Sequence, residues 1–140
     1  MIKLLEDTFN KIVEHSKEAY PHECCGVLAG KIEEGKKVVR VYRARNTNEE
    51  RSCDRYSLDP SELLKIEKDA KAGGFDIIGI YHSHPDHPAR PSTFDRERGW
   101  PEYSYIIVSV RGGRDTEVKS WTFAEKNEPF REEDIVVERG

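Results

Sequence analysis

Histidines are concentrated in one short stretch of this chain. Three of the five lie between positions 82 and 87, and His82 and His84 are two residues apart. They follow residues 75–81, a continuous apolar run that is typical of a strand buried on both faces. Side chains at positions i and i+2 of a strand point to the same face. Both imidazoles can therefore converge on one ion.

A carboxylate that could complete such a site follows eleven residues after His84, at Asp95. Three prolines in residues 85–91 interrupt regular structure, and Ser92 then opens a short predicted helix that can fold Asp95 back towards the histidines. Two neutral imidazoles and one carboxylate leave a fourth coordination position free for water, which is typical of a catalytic zinc site. Asp86 and His87 are interpreted as solvated loop residues, with His87 kept as an alternative ligand.

The spacing His-x-His, seven residues, Ser, two residues, Asp resembles the signature of the JAMM/MPN (Mov34/MPN/PAD-1) family of zinc metalloproteases, at His82, His84, Ser92 and Asp95. The family also has a glutamate after its first helix, and Glu23 stands at that position. Composition could not have selected Glu23 from 27 acidic residues. The resemblance implies that His82, His84 and Asp95 bind Zn²⁺, that Glu23 moves the proton of the attacking water, and that Ser92 donates a hydrogen bond to the developing oxyanion.

Two longer helices are predicted beside this site. The first spans residues 7–19, with Asp7 as its N-cap and an apolar face at helical spacing. The second begins after Asp59, where Pro60 occupies the first helical position and Glu62 could complete a capping box, and it ends at Gly73. A polar loop is predicted over residues 46–54.

Strands account for most of the remaining chain. Besides residues 75–81, the patterns predict a hairpin turning at Gly112 and Gly113, and further strands. The predicted strands are 24–29, 37–43, 55–58, 75–81, 103–110, 116–123 and 135–137. This mixed order predicts an α/β or α+β fold in a single domain, residues 1–140. The resemblance implies a curved mixed β-sheet flanked by helices, with a layering like that of cytidine deaminases.

Composition restricts the function classes. The 140 residues are 36% hydrophobic and 36% charged with a formal net charge of -4, so a broadly basic nucleic-acid-binding surface is not expected. The amino terminus lacks a signal-peptide core, and no apolar run approaches the roughly 20 residues that span a bilayer. A cytoplasmic protein without membrane contact is predicted. The adjacent Cys24 and Cys25 are interpreted as small buried hydrophobic residues, since an odd total of three cysteines argues against a disulfide framework.

The resemblance is strongest to the short prokaryotic, Mec-like forms of the family. It implies an enzyme, a zinc metallopeptidase that hydrolyses the bond after the C-terminal Gly-Gly of a ubiquitin-like (β-grasp) sulfur-carrier protein, and that releases cysteine or another amino acid. Arg51 and Arg55 could meet carboxylates of the substrate, although isolated arginines are more often solvated. The partner would be that carrier, and the oligomeric state is left open.

Alternative functions also follow from the sequence. Within the family, a deubiquitinase-like enzyme would remove ubiquitin-like modifiers from protein lysines. A non-catalytic MPN scaffold would typically lack the metal ligands, which are all present in this chain. A nucleobase deaminase needs His-x-Glu and Pro-Cys-x-x-Cys motifs, and neither occurs. A cysteine peptidase built on Cys24 or Cys25 is the remaining alternative.

Overall fold

A computed structural model describes residues 1–140 as one eight-stranded mixed sheet with three helices. The strands are β1 (Ile2–Leu5), β2 (Cys25–Ile32), β3 (Lys36–Ala44), β4 (Asp76–Pro85), β5 (Ser104–Arg111), β6 (Asp115–Thr122), β7 (Arg131–Glu133) and β8 (Ile135–Glu138). The helices are α1 (Glu6–Ala19), α2 (Pro60–Ala72) and α3 (Thr93–Arg98). The strand order is β7-β6-β5-β4-β2-β3-β1-β8. The predicted curved mixed sheet flanked by helices is confirmed.

Strand β4 lies in the middle of the sheet. It pairs with β2 in antiparallel and with β5 in parallel orientation, which hydrogen-bonds its backbone on both sides. Eight of its ten residues are buried, as the unbroken apolar sequence predicts. The strand continues to Pro85 rather than ending at Tyr81. The histidines are therefore part of the sheet and are held by its hydrogen bonds.

Two hydrophobic clusters cover the two faces of the sheet. The larger cluster packs Ile12 of α1 against Leu28, Tyr81 and other buried residues of the central strands. The smaller cluster packs Ile66 of α2 against Val27, Ile80 and their neighbours. Cys24 and Cys25 are buried within this central region, at 3% and 0% exposure, so their predicted role as small buried hydrophobic residues is confirmed. None of the three helices is long and apolar enough to cross a membrane.

The helix signals are partly confirmed. Asp59 caps α2 by accepting a hydrogen bond from the Ser61 backbone amide, and Gly73 follows its end as predicted. Glu62 does not complete a capping box, because its carboxylate accepts a hydrogen bond from the Arg45 amide instead. The predicted cap at Asp7 is wrong: α1 begins one residue earlier and its N-cap Leu5 provides no side-chain hydrogen bond.

The strand predictions differ from the structure at three places, one of which is the short strand β7, which was not predicted. Residues 55–58 form no strand, because Asn46 binds the Arg55 carbonyl and the Ser57 amide and holds this segment as a loop. Strand β1 was not predicted either, and in it Ile2 and Leu4 are fully buried between β3 and β8. Strand β1 has only four residues and pairs with strands distant in the chain, so its local sequence pattern is too short to predict a strand.

Candidate metal centre and active site

The sheet places the two imidazoles side by side. In β4, His82 is paired with Cys25 of β2 and Ile107 of β5. The Nε2 atoms of His82 and His84 lie 3.2 Å apart. Ser83, between the histidines, faces the opposite side of the sheet, where its Oγ accepts a hydrogen bond from the Cys24 amide. His82 is 0% and His84 6% exposed. The alternation of a strand thus produces the convergence that the i, i+2 spacing predicts.

Helix α3 brings Asp95 to the same point. Ser92 is the N-cap: its Oγ accepts a hydrogen bond from the Asp95 amide, and its own amide donates to Asp95 Oδ2 at 2.9 Å. This capping box turns the carboxylate back towards β4. Asp95 Oδ2 lies 3.2 Å from His82 Nε2 and 3.1 Å from His84 Nε2. The structure therefore brings together the three residues that the sequence predicts as ligands.

The hydrogen bonds of His84 indicate which ring nitrogen carries a proton and that this cluster suits a cation. Its Nδ1 lies 2.8 Å from the Pro88 carbonyl oxygen, which can only accept, so Nδ1 carries the proton. When the ring is neutral, its Nε2 presents a lone pair towards the Asp95 carboxylate, which is also an acceptor, so a proton or a metal cation is needed between them. The separations of 3.1–3.2 Å are close to the ~3.4 Å between ligands of a tetrahedral zinc with bonds of about 2.0–2.1 Å. His82, His84 and a carboxylate could hold a metal ion here.

Glu23 supplies a second carboxylate next to the two histidines. Its backbone is fixed by the loop between β3 and α2, since its amide donates to the Ser52 carbonyl at 2.6 Å and its carbonyl accepts from Asn46 Nδ2 at 3.1 Å. The side chain is 5% exposed, and its oxygen lies within 4.8 Å of the ligand nitrogens of His82 and His84. The structure therefore offers two carboxylates beside the histidines, Asp95 in hydrogen-bonding distance of both Nε2 atoms and Glu23 within 4.8 Å of them.

Burial and neighbouring charge set the protonation of these groups. Burial raises the pKa of Glu23 to about 8, which His84 opposes. Burial would raise the pKa of Asp95 too, but the two histidines outweigh it and hold that pKa well below its usual range. Burial lowers the pKa of His82. Burial also lowers the pKa of His84, but the hydrogen bond and the negative charge of Asp95 outweigh this effect, so the pKa of His84 is raised.

Two contacts to the histidines were missed by the sequence analysis. The Tyr56 ring stacks on His82 with a centroid distance of 4.5 Å and an interplanar angle of 24°. His82 Nδ1 is buried and has no hydrogen-bond partner, so stacking takes the place of the hydrogen bond that usually orients such a ring. The Pro88 carbonyl has that orienting role for His84. Neither contact has a local signal in the sequence, since one comes from a loop and the other from a backbone atom.

The remaining candidates lie outside the cluster. Asp86 is exposed, and its two carboxylate oxygens accept hydrogen bonds from the Tyr20 hydroxyl and the Gly112 amide. His87 is also exposed and lines a cavity of about 610 Å³ next to the cluster, together with Glu23, His84 and Ser92. A larger cavity of about 730 Å³, near the carboxyl end of α3, contains none of these four residues. The smaller cavity is therefore the candidate substrate site.

The buried Glu23 carboxyl predicts a pH dependence of stability for the metal-free protein. Its folded pKa of about 8 lies above the ordinary value of 4.5, so the folded state holds this proton while the unfolded state releases it. Stability is lost as pH rises from about 5 to about 8, by an amount on the order of a few kcal/mol. Thermal unfolding at pH 6 and pH 8 of the chelator-treated wild type and of Glu23→Gln tests this. We expect the wild type to lose more stability than the variant, and parallel losses would contradict the assignment.

A buried His-x-His pair with a converging carboxylate, set at a cavity with a second carboxylate, defines a candidate metal-dependent hydrolase. Residues 5–124 match the family Prok-JAB, the prokaryotic homologs of the JAB domain. The chain belongs to this family.

Two curated relatives cover most of the chain. It is 37% identical to the desampylase of Haloferax volcanii over 142 aligned positions, which cover 98% of this chain and 96% of the relative. It is 34% identical to the CysO-cysteine peptidase of Mycobacterium tuberculosis, covering 82% of this chain and 77% of the relative. Both relatives carry the names of hydrolytic enzymes, which agrees with the predicted enzyme class.

Solved structures agree on the architecture. A solution structure of a protein from Desulfitobacterium hafniense superposes with a TM-score of 0.88 at 32% identity, covering 100% of this chain and 94% of that one. A crystal structure of a JAB1/MPN domain protein from Archaeoglobus fulgidus gives a TM-score of 0.59 at 20% identity, covering 98% and 96%. The second likeness shows the fold alone, and that fold is the one the sequence resemblance implies.

Proposed function

We propose that this chain is a zinc-dependent peptidase that hydrolyses the bond after the C-terminal Gly-Gly of a ubiquitin-like sulfur-carrier protein. The observation that carries the proposal is the convergence of His82, His84 and Asp95 within 3.2 Å, with Glu23 beside them at the wall of an open cavity. The names of the relatives, a desampylase and a CysO-cysteine peptidase, support this substrate class. A cytoplasmic location fits such carriers and stays a prediction.

Zn²⁺ is the metal that this set of donors suits best. Two imidazole nitrogens and one carboxylate are a common catalytic zinc set, whereas Mg²⁺ and Ca²⁺ prefer oxygen donors throughout. A zinc ion held by these three residues would lower the pKa of a coordinated water towards about 7 and polarise the scissile carbonyl. The hydrogen bond from His84 to the Pro88 carbonyl and the stacking of Tyr56 on His82 hold the two rings in their binding orientation.

Glu23 has the position for proton transfer. It lies on the cavity wall next to His84, where a carboxylate beside the attacking water can take a proton and return it. In hydrolysis, Glu23 takes a proton from the attacking water as the new C–O bond forms at the last carrier glycine. It then gives that proton to the leaving nitrogen as the C–N bond breaks. The products are the carrier carboxylate and a free amine.

Ser92 is placed to stabilise the oxyanion. Its Oγ accepts a hydrogen bond from the Asp95 amide, so the hydroxyl proton remains available for donation into the cavity that Ser92 lines. A hydrogen bond that strengthens as the carbonyl oxygen gains charge lowers the barrier rather than the ground state.

Replacing Ser92 by alanine should therefore lower kcat by about a hundredfold. It also removes the α3 cap, at a cost of about 1 kcal/mol of stability, so metal content must be measured alongside the rate. Ser92→Thr retains both the hydroxyl and the cap, and we expect it to recover most of the activity. Full activity of Ser92→Ala with normal metal content would exclude the oxyanion role.

Removal of ubiquitin-like modifiers from protein lysines is the second candidate. The match to the desampylase covers nearly the full length of both chains, and the cavity is open enough to admit a side-chain amine. The chemistry at the scissile bond is the same, and only the leaving amine differs. A non-catalytic scaffold has no need of metal ligands, whereas this chain retains His82, His84 and Asp95, so the scaffold is the less favoured alternative.

The test is intact-mass analysis of a β-grasp carrier that bears one amino acid after Gly-Gly, incubated with zinc-loaded protein with and without a chelator. We expect loss of the terminal residue that the chelator abolishes and that added zinc restores. A carrier joined to a lysine side chain of a peptide tests the second candidate in parallel. If neither substrate is cleaved by protein that contains one zinc per chain, the proposed substrate class is wrong. If the protein binds no zinc, the scaffold alternative replaces the enzyme.

A further inference from the structure

Arginines are concentrated around the candidate active site of an acidic chain. The cavity that contains Glu23 and His84 is also lined by Arg51, Arg55, Arg90 and Arg96. The acidic residues in the same lining are Glu23 and Asp54, whereas the whole chain has a formal net charge of -4. The charge of the cavity wall is therefore opposite to that of the protein as a whole, which favours an anionic ligand.

Three of these guanidinium groups have no carboxylate partner within the chain. The arginine ion pairs of the protein involve Arg40, Arg43, Arg51 and Arg139. Arg51 is held by Asp54 through two hydrogen bonds, so its charge is already paired within the chain. Arg55, Arg90 and Arg96 lie in the wall without such a pair, so their donors remain available to a ligand. A guanidinium binds a carboxylate through two parallel hydrogen bonds.

Arg55 is the one of the three that lies over an aromatic ring. Its guanidinium lies over the Phe94 ring at 4.9 Å, and its residue is half-buried, whereas Arg90 and Arg96 are exposed. Phe94 itself stands next to Asp95 in α3. Stacking on a ring holds the planar group in place and reduces the entropy lost when it binds. The loop between β3 and α2 thus presents a fixed cation beside the metal centre.

We propose that Arg55, assisted by Arg90 and Arg96, recognises a carboxylate on the leaving residue, so that the enzyme prefers to release a free amino acid from its carrier. This inference rests on the proposed function and specifies the leaving amine. In a carrier–Gly-Gly–amino acid conjugate, the terminal carboxylate carbon lies only about 2.5 Å from the leaving nitrogen. A lysine-linked conjugate has no negative charge at that position, because its methylene chain follows the nitrogen and its own carboxyl is in a peptide bond.

The experiment compares three conjugates of one carrier: Gly-Gly–alanine, the same conjugate with a C-terminal amide, and a Gly-Gly conjugate to the lysine side chain of a peptide. Zinc-loaded wild type should cleave the acid with a kcat/KM at least tenfold above that for the amide or the lysine conjugate. In Arg55→Gln the ratio of acid to amide should fall about tenfold to a hundredfold, which corresponds to a lost hydrogen-bonded charge pair. Arg55→Lys keeps the charge without the bidentate geometry and should give an intermediate ratio.

Arg131→Gln is the matched control, because Arg131 is an exposed arginine of the edge strand β7, three strands away from β4, and does not line this cavity. The ratio of acid to amide should be the same in this variant as in the wild type. A wild type that cleaves all three conjugates equally would overturn the inference and leave the proposed function intact. Equal losses of kcat/KM on acid and amide in Arg55→Gln would also overturn it, and would indicate that Arg55 binds the carrier. No cleavage of any conjugate would refute the proposed function itself.

Discussion

Glu23→Gln is expected to lower hydrolysis by about 10²–10⁴-fold while one zinc per chain remains bound. Glutamine has nearly the same size, so the packing of this 5% exposed side chain is preserved. It cannot take a proton from the attacking water or return one to the leaving amine. His82, His84 and Asp95 are unchanged in this variant, so the ligands that we propose for the metal all remain. Single-turnover cleavage of the carrier conjugate and metal analysis of the same preparation measure the two outcomes separately.

The control for this variant is Glu50→Gln, which removes an exposed carboxylate from the loop between β3 and α2, outside the lining of the cavity, and should leave both quantities unchanged. The informative contrary outcome is loss of zinc from Glu23→Gln. Glu23, His82 and His84 have ligand atoms within 4.8 Å of one another, so Glu23 is a conceivable third ligand. Loss of zinc would identify it as such, and the proton would then need another carrier.

The convergence of the histidines could be predicted because it is a local property of one strand. Side-chain alternation in β4 places His82 and His84 on one face whatever the rest of the fold does. Asp95 could be predicted for a similar reason, since a capping box with Ser92 fixes the first turn of α3. The sequence could not show how far β4 continues beyond Tyr81, because that depends on its pairing with β2 and β5.

The position of Glu23 depends on contacts between distant segments. The pairing of Cys25 with His82 brings the start of β2 beside the histidines, and the Ser52 carbonyl fixes the Glu23 amide. No pattern near residue 23 encodes either contact, so only the family resemblance selected this glutamate. No local pattern identifies Tyr56 either, which lies in a segment that was predicted as a strand and is a loop in the structure. Its stacking on His82 results from tertiary packing alone.

The ligand assignment has its most demanding test in Asp95. We expect Asp95→Ala to weaken zinc binding by at least a hundredfold, since even residues that only orient a metal ligand typically account for 10–100-fold in affinity. Asp95→Asn should lose most of this affinity as well, because it removes the negative charge. Its amide oxygen can still accept the hydrogen bond from the Ser92 amide, so the start of α3 is retained. Competition with a chromophoric chelator measures both affinities, and circular dichroism checks the fold.

The matched controls are Asp86→Asn and His87→Asn, which alter the two neighbouring residues that could substitute as ligands. Asp86 is bound to Tyr20 and Gly112, and His87 lies in the cavity wall, so neither change should affect zinc affinity. If Asp95→Asn kept full affinity and His87→Asn lost it, the third ligand would be His87. If both kept it and Glu23→Gln lost it, the third ligand would be Glu23. Asp95 is the expected answer because its oxygen already lies 3.1–3.2 Å from both histidine nitrogens, near the spacing that a tetrahedral zinc requires.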